Sequence, residues 1–140
     1  MSYFDRSPKG VPVVSRTVRN EIEEQTQLVR DIKHLLNNEQ IKPGNIVILL
    51  NCAKEDSCLA QTKAIEGIPL VSTYTGYDPR SNQIHYATID IFKGLEADVV
   101  FLLLGKSTER DAQSQAIYVR GSRAKHLLYV YSRADQAKTA

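Results

Sequence analysis

Cysteine is scarce in this sequence, which has only Cys52 and Cys58 among 140 residues. The two are too far apart for a Cys-x-x-Cys pair, and no histidine lies near them in the sequence. A structural zinc site needs four clustered ligands, so the pattern argues against one. Two isolated cysteines are typical of a protein kept reduced, and we interpret them as free thiols.

Long apolar runs and a strong net charge are also missing. No stretch approaches the ~20 apolar residues that a membrane-spanning helix needs. The first ten residues, MSYFDRSPKG, have no apolar signal core, so we expect a cytoplasmic protein. The formal net charge of +2 is too small to indicate a polyanion partner by itself. The length suits a single domain over residues 1–140, with residues 1–10 and 133–140 expected to be loose.

Residues 20–37 carry the clearest helix pattern. Apolar side chains recur there every three or four residues, Asn20 is placed to cap the start, and three glutamates follow in the first turn. The pattern also predicts helices at residues 56–66 and 108–121. The second of these is predicted to begin at a Ser or Thr cap, and the first to end at Gly67.

Short β-prone runs alternate with these helices. The run IVILL at residues 46–50 is continuously apolar, as expected for a strand covered on both faces. Pro12 restricts the run at 11–18 to a sheet edge or a late strand start. Further strands are predicted at residues 69–74, 84–89, 98–104 and 126–131. The alternation predicts a three-layer α/β/α fold with a mostly parallel sheet.

Two short polar segments stand beside predicted strands and carry charges that an apolar core would not select. The first is Lys93-Gly94-Leu95-Glu96, and the second contains Arg120 and Arg123. Open α/β sheets bind ligands at strand ends. Lysine and arginine suit an anionic ligand, and a glutamate suits one that bears hydroxyl groups. Taken alone, the first segment is more typical of a tight turn with solvated charges, and Arg123 is more typical of a helix-end arginine paired with a helix C-terminus or a surface acid.

The flanks of these segments resemble a known family. TIDIFKGLEADVVFL is similar to motif V of UvrD/Rep-type superfamily 1 helicases, and YVRGSRAKHLLYVY is similar to their motif VI. The resemblance implies the second RecA-like domain of such a motor, which is related to P-loop NTPases. It implies ATP as the nucleotide and single-stranded DNA as a partner.

The resemblance also assigns roles to individual residues. It places Gly94 and Glu96 at the ribose and phosphates of ATP and Thr88 near the DNA strand. It makes Arg123 the arginine finger that reaches the γ-phosphate. Lys93 and Arg120 would add local positive charge to the nucleotide site.

Three features depart from the family pattern or imitate a different one. Asn51 stands where the family commonly has a phosphate-contacting arginine, and Asp90 stands where many members have a histidine. An acid at position 90 would repel a DNA phosphate. Gly105-Lys106-Ser107-Thr108 imitates the end of a phosphate loop, but Val100 occupies the place of its first glycine. We interpret that stretch as a strand-to-helix turn.

The sequence contains no complete phosphate loop and no acidic pair that we can assign to Mg²⁺. In such motors, those parts belong to the N-terminal RecA-like domain. We therefore expect these 140 residues alone not to hydrolyse ATP, and to need that domain in cis or in trans. The alternative is a non-catalytic RecA-like module that binds a protein or nucleic acid. A nucleotide-binding domain of another α/β enzyme is a third, weaker option.

Overall fold

The computed structural model describes residues 4–6, 12–73, 78–88, 97–104 and 124–133. The helix predicted at 108–121 lies outside these ranges. Within them are one α-helix, α1 (Glu21–Asn37), and short 3₁₀ turns at Pro43–Asn45 and Lys54–Asp56. The strands of the described part are β1 (Phe4–Arg6), β2 (Pro12–Val18), β3 (Ile46–Leu50), β4 (Ala64–Ile65), β5 (Ile68–Ser72), β6 (Ile84–Thr88), β7 (Ala97–Leu103) and β8 (Ala124–Arg133).

These strands form a sheet in the order β1-β2-β8-β7-β3-β6-β5-β4. Every pairing from β2 through to β5 is parallel, whereas β1 and β4 pair antiparallel at the two edges. Parallel neighbours require crossover connections, which are usually helical. The mostly parallel α/β sheet predicted from the sequence is confirmed.

The helix α1 begins as the sequence predicts. The Asn20 side chain accepts a hydrogen bond of 2.8 Å from the backbone N–H of Glu23. Three glutamates in the first turn complement the positive end of the helix dipole. One face of α1 presents Leu28, Ile32 and Leu35, all buried, to the sheet core. The amphipathic stripe therefore sets which side of the helix packs inward.

The strand β3 lies in the middle of the parallel sheet, between β7 and β6. All five of its residues are at most 1% exposed. Ile46, Ile48 and Leu50 belong to the core cluster that includes α1, and the alternate residues Val47 and Leu49 face the other side. Burial on both faces is what a three-layer arrangement requires.

The glycine at position 44 allows a close approach of backbone to backbone. A Cβ atom there would lie 2.4 Å from the carbonyl oxygen of Pro79 and 2.6 Å from that of Ser81. Any larger residue would force the turn before β6 away from the start of β3.

The helix predicted at residues 56–66 is wrong. Lys54–Asp56 is a 3₁₀ turn, and a tight hairpin of β4 and β5 follows. The Ser57 hydroxyl donates to the carbonyl of Lys54 at 2.8 Å and accepts from the N–H of Leu59 at 3.0 Å, so its side chain competes with helical bonding. Glu66 and Gly67 both have positive φ, 53° and 79°, as a two-residue hairpin turn requires.

The N-terminal segment contains a strand that the sequence pattern did not predict. Phe4–Arg6 forms β1 and pairs with β2, so of the two alternatives predicted for Pro12, a sheet edge or a late strand start, the structure shows the strand start. Pro12 is tolerated because it opens β2, before pairing with β8 begins at Val13. At the other end, β8 continues to Arg133, and residues 134–140 lie outside the described ranges.

Candidate functional site

The parallel strands bring their carboxyl ends to one edge of the sheet, which we call the carboxyl edge. Thr88, predicted to approach a DNA strand, ends β6 there as the register partner of Leu50. Its side chain is half-buried. Thr88 shares a face of β6 with Ile84 and Tyr86, the face on which α1 packs.

The opposite edge holds the starts of β7 and β8. Ala97, the first residue of β7, is the register partner of Ala124, the first residue of β8. In the sequence, Glu96 directly precedes Ala97 and Arg123 directly precedes Ala124. The segments that resemble motifs V and VI therefore lead into paired ends of adjacent parallel strands.

The remaining predicted site residues lie outside the described ranges. Their roles stay predictions. They are Lys93, Gly94, Glu96, Arg120 and Arg123.

Asn51 links the carboxyl ends of three strands. Its backbone N–H donates to the carbonyl of Leu103 at 3.2 Å, and its side-chain Nδ2 donates to the carbonyl of Leu104 at 3.2 Å. The backbone N–H of Leu104 in turn donates to the carbonyl of Tyr131 at 3.0 Å. The side chain at this position thus ties β3 to the chain that leaves β7. Sequence reasoning considered Asn51 only as a replaced arginine and missed this contact.

Two buried carboxylates on α1 pair with arginines from the sheet. An amino nitrogen of Arg133 donates to Glu24 Oε1 at 2.9 Å, with side-chain exposures of 11% and 2%. Two turns later, Asp31 accepts from Arg16 Nε and Nη2 at 3.1 and 3.0 Å. It also accepts from the Tyr131 hydroxyl. These pairs fix α1 to β2 and β8 at two points.

The sequence did contain a signal for these pairs. Glu24 and Asp31 occupy the same helical stripe as Leu28 and Leu35, at steps of four, three and four residues. A charge inside an apolar stripe is costly to bury alone, so it calls for an arginine partner. The sequence gives no means of choosing which arginine.

The electrostatics of the described thiols and imidazole argue against nucleophilic catalysis there. Burial, reinforced by the charge of Glu24, raises the pKa of the Cys58 thiol. Burial and the nearby Asp56 raise the pKa of Cys52. Burial lowers the pKa of His85, which favours the neutral imidazole. A thiol is reactive as the thiolate, so raised pKa values make both cysteines poor nucleophiles.

The described ranges contain neither a metal-ligand cluster nor a membrane-spanning helix. Across the described ranges, no group of three or more His, Cys, Asp or Glu side chains could hold a metal ion. In the same ranges, no helix is long and apolar enough to cross a membrane.

A comparison with protein-family models finds a match to part of the chain. Residues 83–131 match the family model of the UvrD-like helicase C-terminal domain. We call these residues the helicase-like segment. It includes β6, β7 and β8 as far as Tyr131, and therefore both motif-like stretches. The similarity to the C-terminal domain of UvrD-type helicases is thus confirmed. No curated protein gives a significant match to the chain.

Proposed function

We propose that the chain is the C-terminal motor domain of an ATP-dependent DNA helicase or translocase. The helicase-like segment supports this at the level of family. The parallel α/β sheet supports it at the level of fold, because RecA-like motor domains are built in this way. Such a domain works against an N-terminal RecA-like domain and on nucleic acid.

The observation that carries the proposal is the pairing of Ala97 with Ala124. Two segments that are distant along the chain enter adjacent, paired strands, one preceded by Glu96 and the other by Arg123. A hydrogen-bond acceptor complements the ribose hydroxyls of a nucleotide, and a cation complements its phosphates. In our proposal, Glu96 accepts from the ribose hydroxyls, and Gly94 lets the backbone approach the phosphates.

Arginine is the residue suited to the outermost phosphate. Its planar guanidinium stays charged and can bind two oxygens at once. We assign Arg123 to the γ-phosphate and give Lys93 and Arg120 a supporting positive charge. ATP and its Mg²⁺ supply the phosphoryl-transfer chemistry, and the N-terminal domain would hold the metal ion. The chain by itself is then a half-site.

The experiment is a steady-state phosphate-release assay with the 140-residue chain. The chain alone should release no phosphate above background. With the N-terminal RecA-like domain of a UvrD-type helicase added in trans, ATP turnover should appear and respond to single-stranded DNA. Arg123→Ala should lower that turnover by ~10³-fold or more, as for other arginine fingers. Arg19→Ala is the matched control, because Arg19 is 80% exposed and pairs only at the surface with Glu23. If the isolated chain turns over ATP and Arg123→Ala abolishes that turnover, the proposal that the chain is only a half-site is overturned.

A non-catalytic RecA-like module is the second candidate. The Asn51 contacts favour it, because the Asn51 side chain ties Leu104 to β3 at a position where the family commonly offers an arginine to phosphate. A missing phosphate contact weakens nucleotide binding. Failure of the N-terminal domain to restore turnover, with the complex formed and DNA bound, would favour this module.

A further inference from the structure

A lysine at the carboxyl edge lies against an aromatic ring close to Thr88. The ammonium nitrogen of Lys54 is 5.7 Å from the centroid of the Tyr86 ring. This geometry is a cation–π contact. Both residues are half-buried.

The backbone beneath Lys54 is fixed. Lys54 opens the 3₁₀ turn Lys54–Asp56, a few residues after β3 ends. Its carbonyl accepts from both the N–H of Ser57 at 3.1 Å and the Ser57 hydroxyl at 2.8 Å. Ser57 is itself buried. The lysine is therefore presented from a rigid base with its amino group held over a ring.

The position of Tyr86 brings this cation to the candidate nucleic-acid edge. Tyr86 and Thr88 are two residues apart on the same face of β6, which places their Cα atoms about 7 Å apart. The neighbouring strand completes the edge with Leu50, the register partner of Thr88. A phosphate near the Thr88 hydroxyl would thus be within the reach of a lysine side chain.

We propose that Lys54 binds a backbone phosphate of single-stranded DNA beside Thr88, with the Tyr86 ring holding the ammonium in place. The inference rests on the proposed function, because Thr88 is the nucleic-acid residue of that function. Lysine acts on phosphate as a point charge. The ring contact is compatible with this, since it restricts the side chain and leaves its outer N–H groups to donate.

The residues that follow Lys54 limit the strength of this contact. Glu55 and Asp56 are exposed and negatively charged. Their field opposes a polyanion, so the site should contribute one phosphate contact and no wide basic track. Neutralising them, as Glu55→Gln with Asp56→Asn, should strengthen DNA binding while leaving Lys54 necessary.

The test is fluorescence anisotropy of a labelled oligothymidylate titrated with the 140-residue chain over a range of salt concentrations. Lys54→Gln should weaken binding about threefold to tenfold and reduce the slope of log affinity against log salt by about 0.7. Lys54→Arg should retain both. Lys63→Gln is the matched control, since Lys63 is exposed and next to the edge strand β4. It should change neither quantity.

A Thr88→Val variant separates this inference from the proposed function. If Thr88→Val weakens binding and Lys54→Gln does not, the lysine assignment is overturned while the motor assignment stands. If Lys63→Gln weakens binding as much as Lys54→Gln, the effect is bulk charge and the assignment is again overturned. If the unmodified chain does not bind the oligonucleotide, or neither Thr88→Val nor Lys54→Gln alters binding, the phosphate site is overturned, whereas the motor assignment is decided by ATP turnover with the N-terminal domain.

Discussion

Arg133 and Glu24 form an ion pair of 2.9 Å between the end of β8 and the first turn of α1, withdrawn from solvent on both sides. Breaking a buried pair leaves a charge that neither water nor protein compensates. The pair therefore makes the position of α1 on the sheet dependent on the last residue of β8.

Arg133→Ala should destabilise the domain by about 3 kcal/mol, because Glu24 is then buried without its cation. Urea unfolding followed by circular dichroism would measure the loss. Arg19→Ala, the surface counterpart, should cost less than about 1 kcal/mol. The double variant Glu24→Leu with Arg133→Met should recover most of the stability, because it removes both charges together. Equal effects of the two arginine substitutions would contradict the buried pair.

Tyr131→Phe should destabilise the domain by about 1–2 kcal/mol, since it removes the hydroxyl that donates to the buried Asp31. Tyr129→Phe is the control. The Tyr129 ring stacks on Phe101 at 4.4 Å between centroids, and phenylalanine preserves that stack. Thermal unfolding of the two variants would compare them, and a smaller loss for Tyr131→Phe than for Tyr129→Phe would be evidence against the Asp31 contact.

Stability should fall in strongly alkaline solution. Burial, with the charge of Asp31, raises the pKa of Tyr129 from 10.0 to about 12, and the pKa of Tyr131 also moves upward. Above the ordinary tyrosine pKa, the unfolded chain releases protons that the folded chain retains, so unfolding becomes favoured as pH rises. Below that pH, the stabilisation is fully present. Denaturation midpoints measured through this window should drop, and the drop should be shallower in Tyr129→Phe. An identical drop in that variant would mean that Tyr129 does not contribute to the loss of stability.

Glu66→Asn should stabilise the hairpin between β4 and β5 by about 0.5–1 kcal/mol. Glu66 has a φ of 53°, a left-handed conformation that asparagine tolerates better than glutamate. Lys63→Asn is the control on the strand side of the same hairpin and should change stability by less than about 0.5 kcal/mol. The denaturant midpoint measures both, and equal shifts would mean that backbone strain at Glu66 is not the cause.

The core elements could be predicted from local pattern alone. The run at 46–50 is continuously apolar, short and rich in β-branched residues, which favours a covered strand over a buried helix. The helix α1 combines a stripe with a side-chain cap, and both features are local. For the same reason the strands β6, β7 and β8 were predicted to within a few residues.

The failures come from interactions that the local pattern does not encode. Residues 56–66 have helix-compatible composition, yet the bonds of the Ser57 side chain and the left-handed Glu66–Gly67 turn override it. The strand β1 forms because it pairs with β2. Its three residues are too few to carry a recognisable strand pattern in the sequence. The arginine partners of Glu24 and Asp31 come from β8 and β2, and the sequence does not specify that these two strands are neighbours against α1.

The candidate site also has a part that the sequence predicted and a part that it could not. Motif resemblance led to the helicase-like segment, and the match over residues 83–131 confirms the similarity of that segment to the C-terminal domain of UvrD-type helicases. The link between Asn51 and Leu104 could not be predicted, because it depends on β3 and β7 being neighbours. The roles of Glu96 and Arg123 remain predictions that rest on the resemblance and on the pairing of Ala97 with Ala124.

Nucleotide affinity in the assembled pair of domains tests those roles most directly. Titrating the pair with ADP and with a non-hydrolysable ATP analogue separates contacts with the ribose, which both nucleotides carry, from contacts with the γ-phosphate, which only the analogue carries. Glu96→Ala should weaken binding of both nucleotides alike, whereas Arg123→Ala should weaken only the ATP analogue. If Arg123→Ala weakens ADP and the analogue equally, or leaves both unchanged, Arg123 does not face the γ-phosphate and the motor assignment fails.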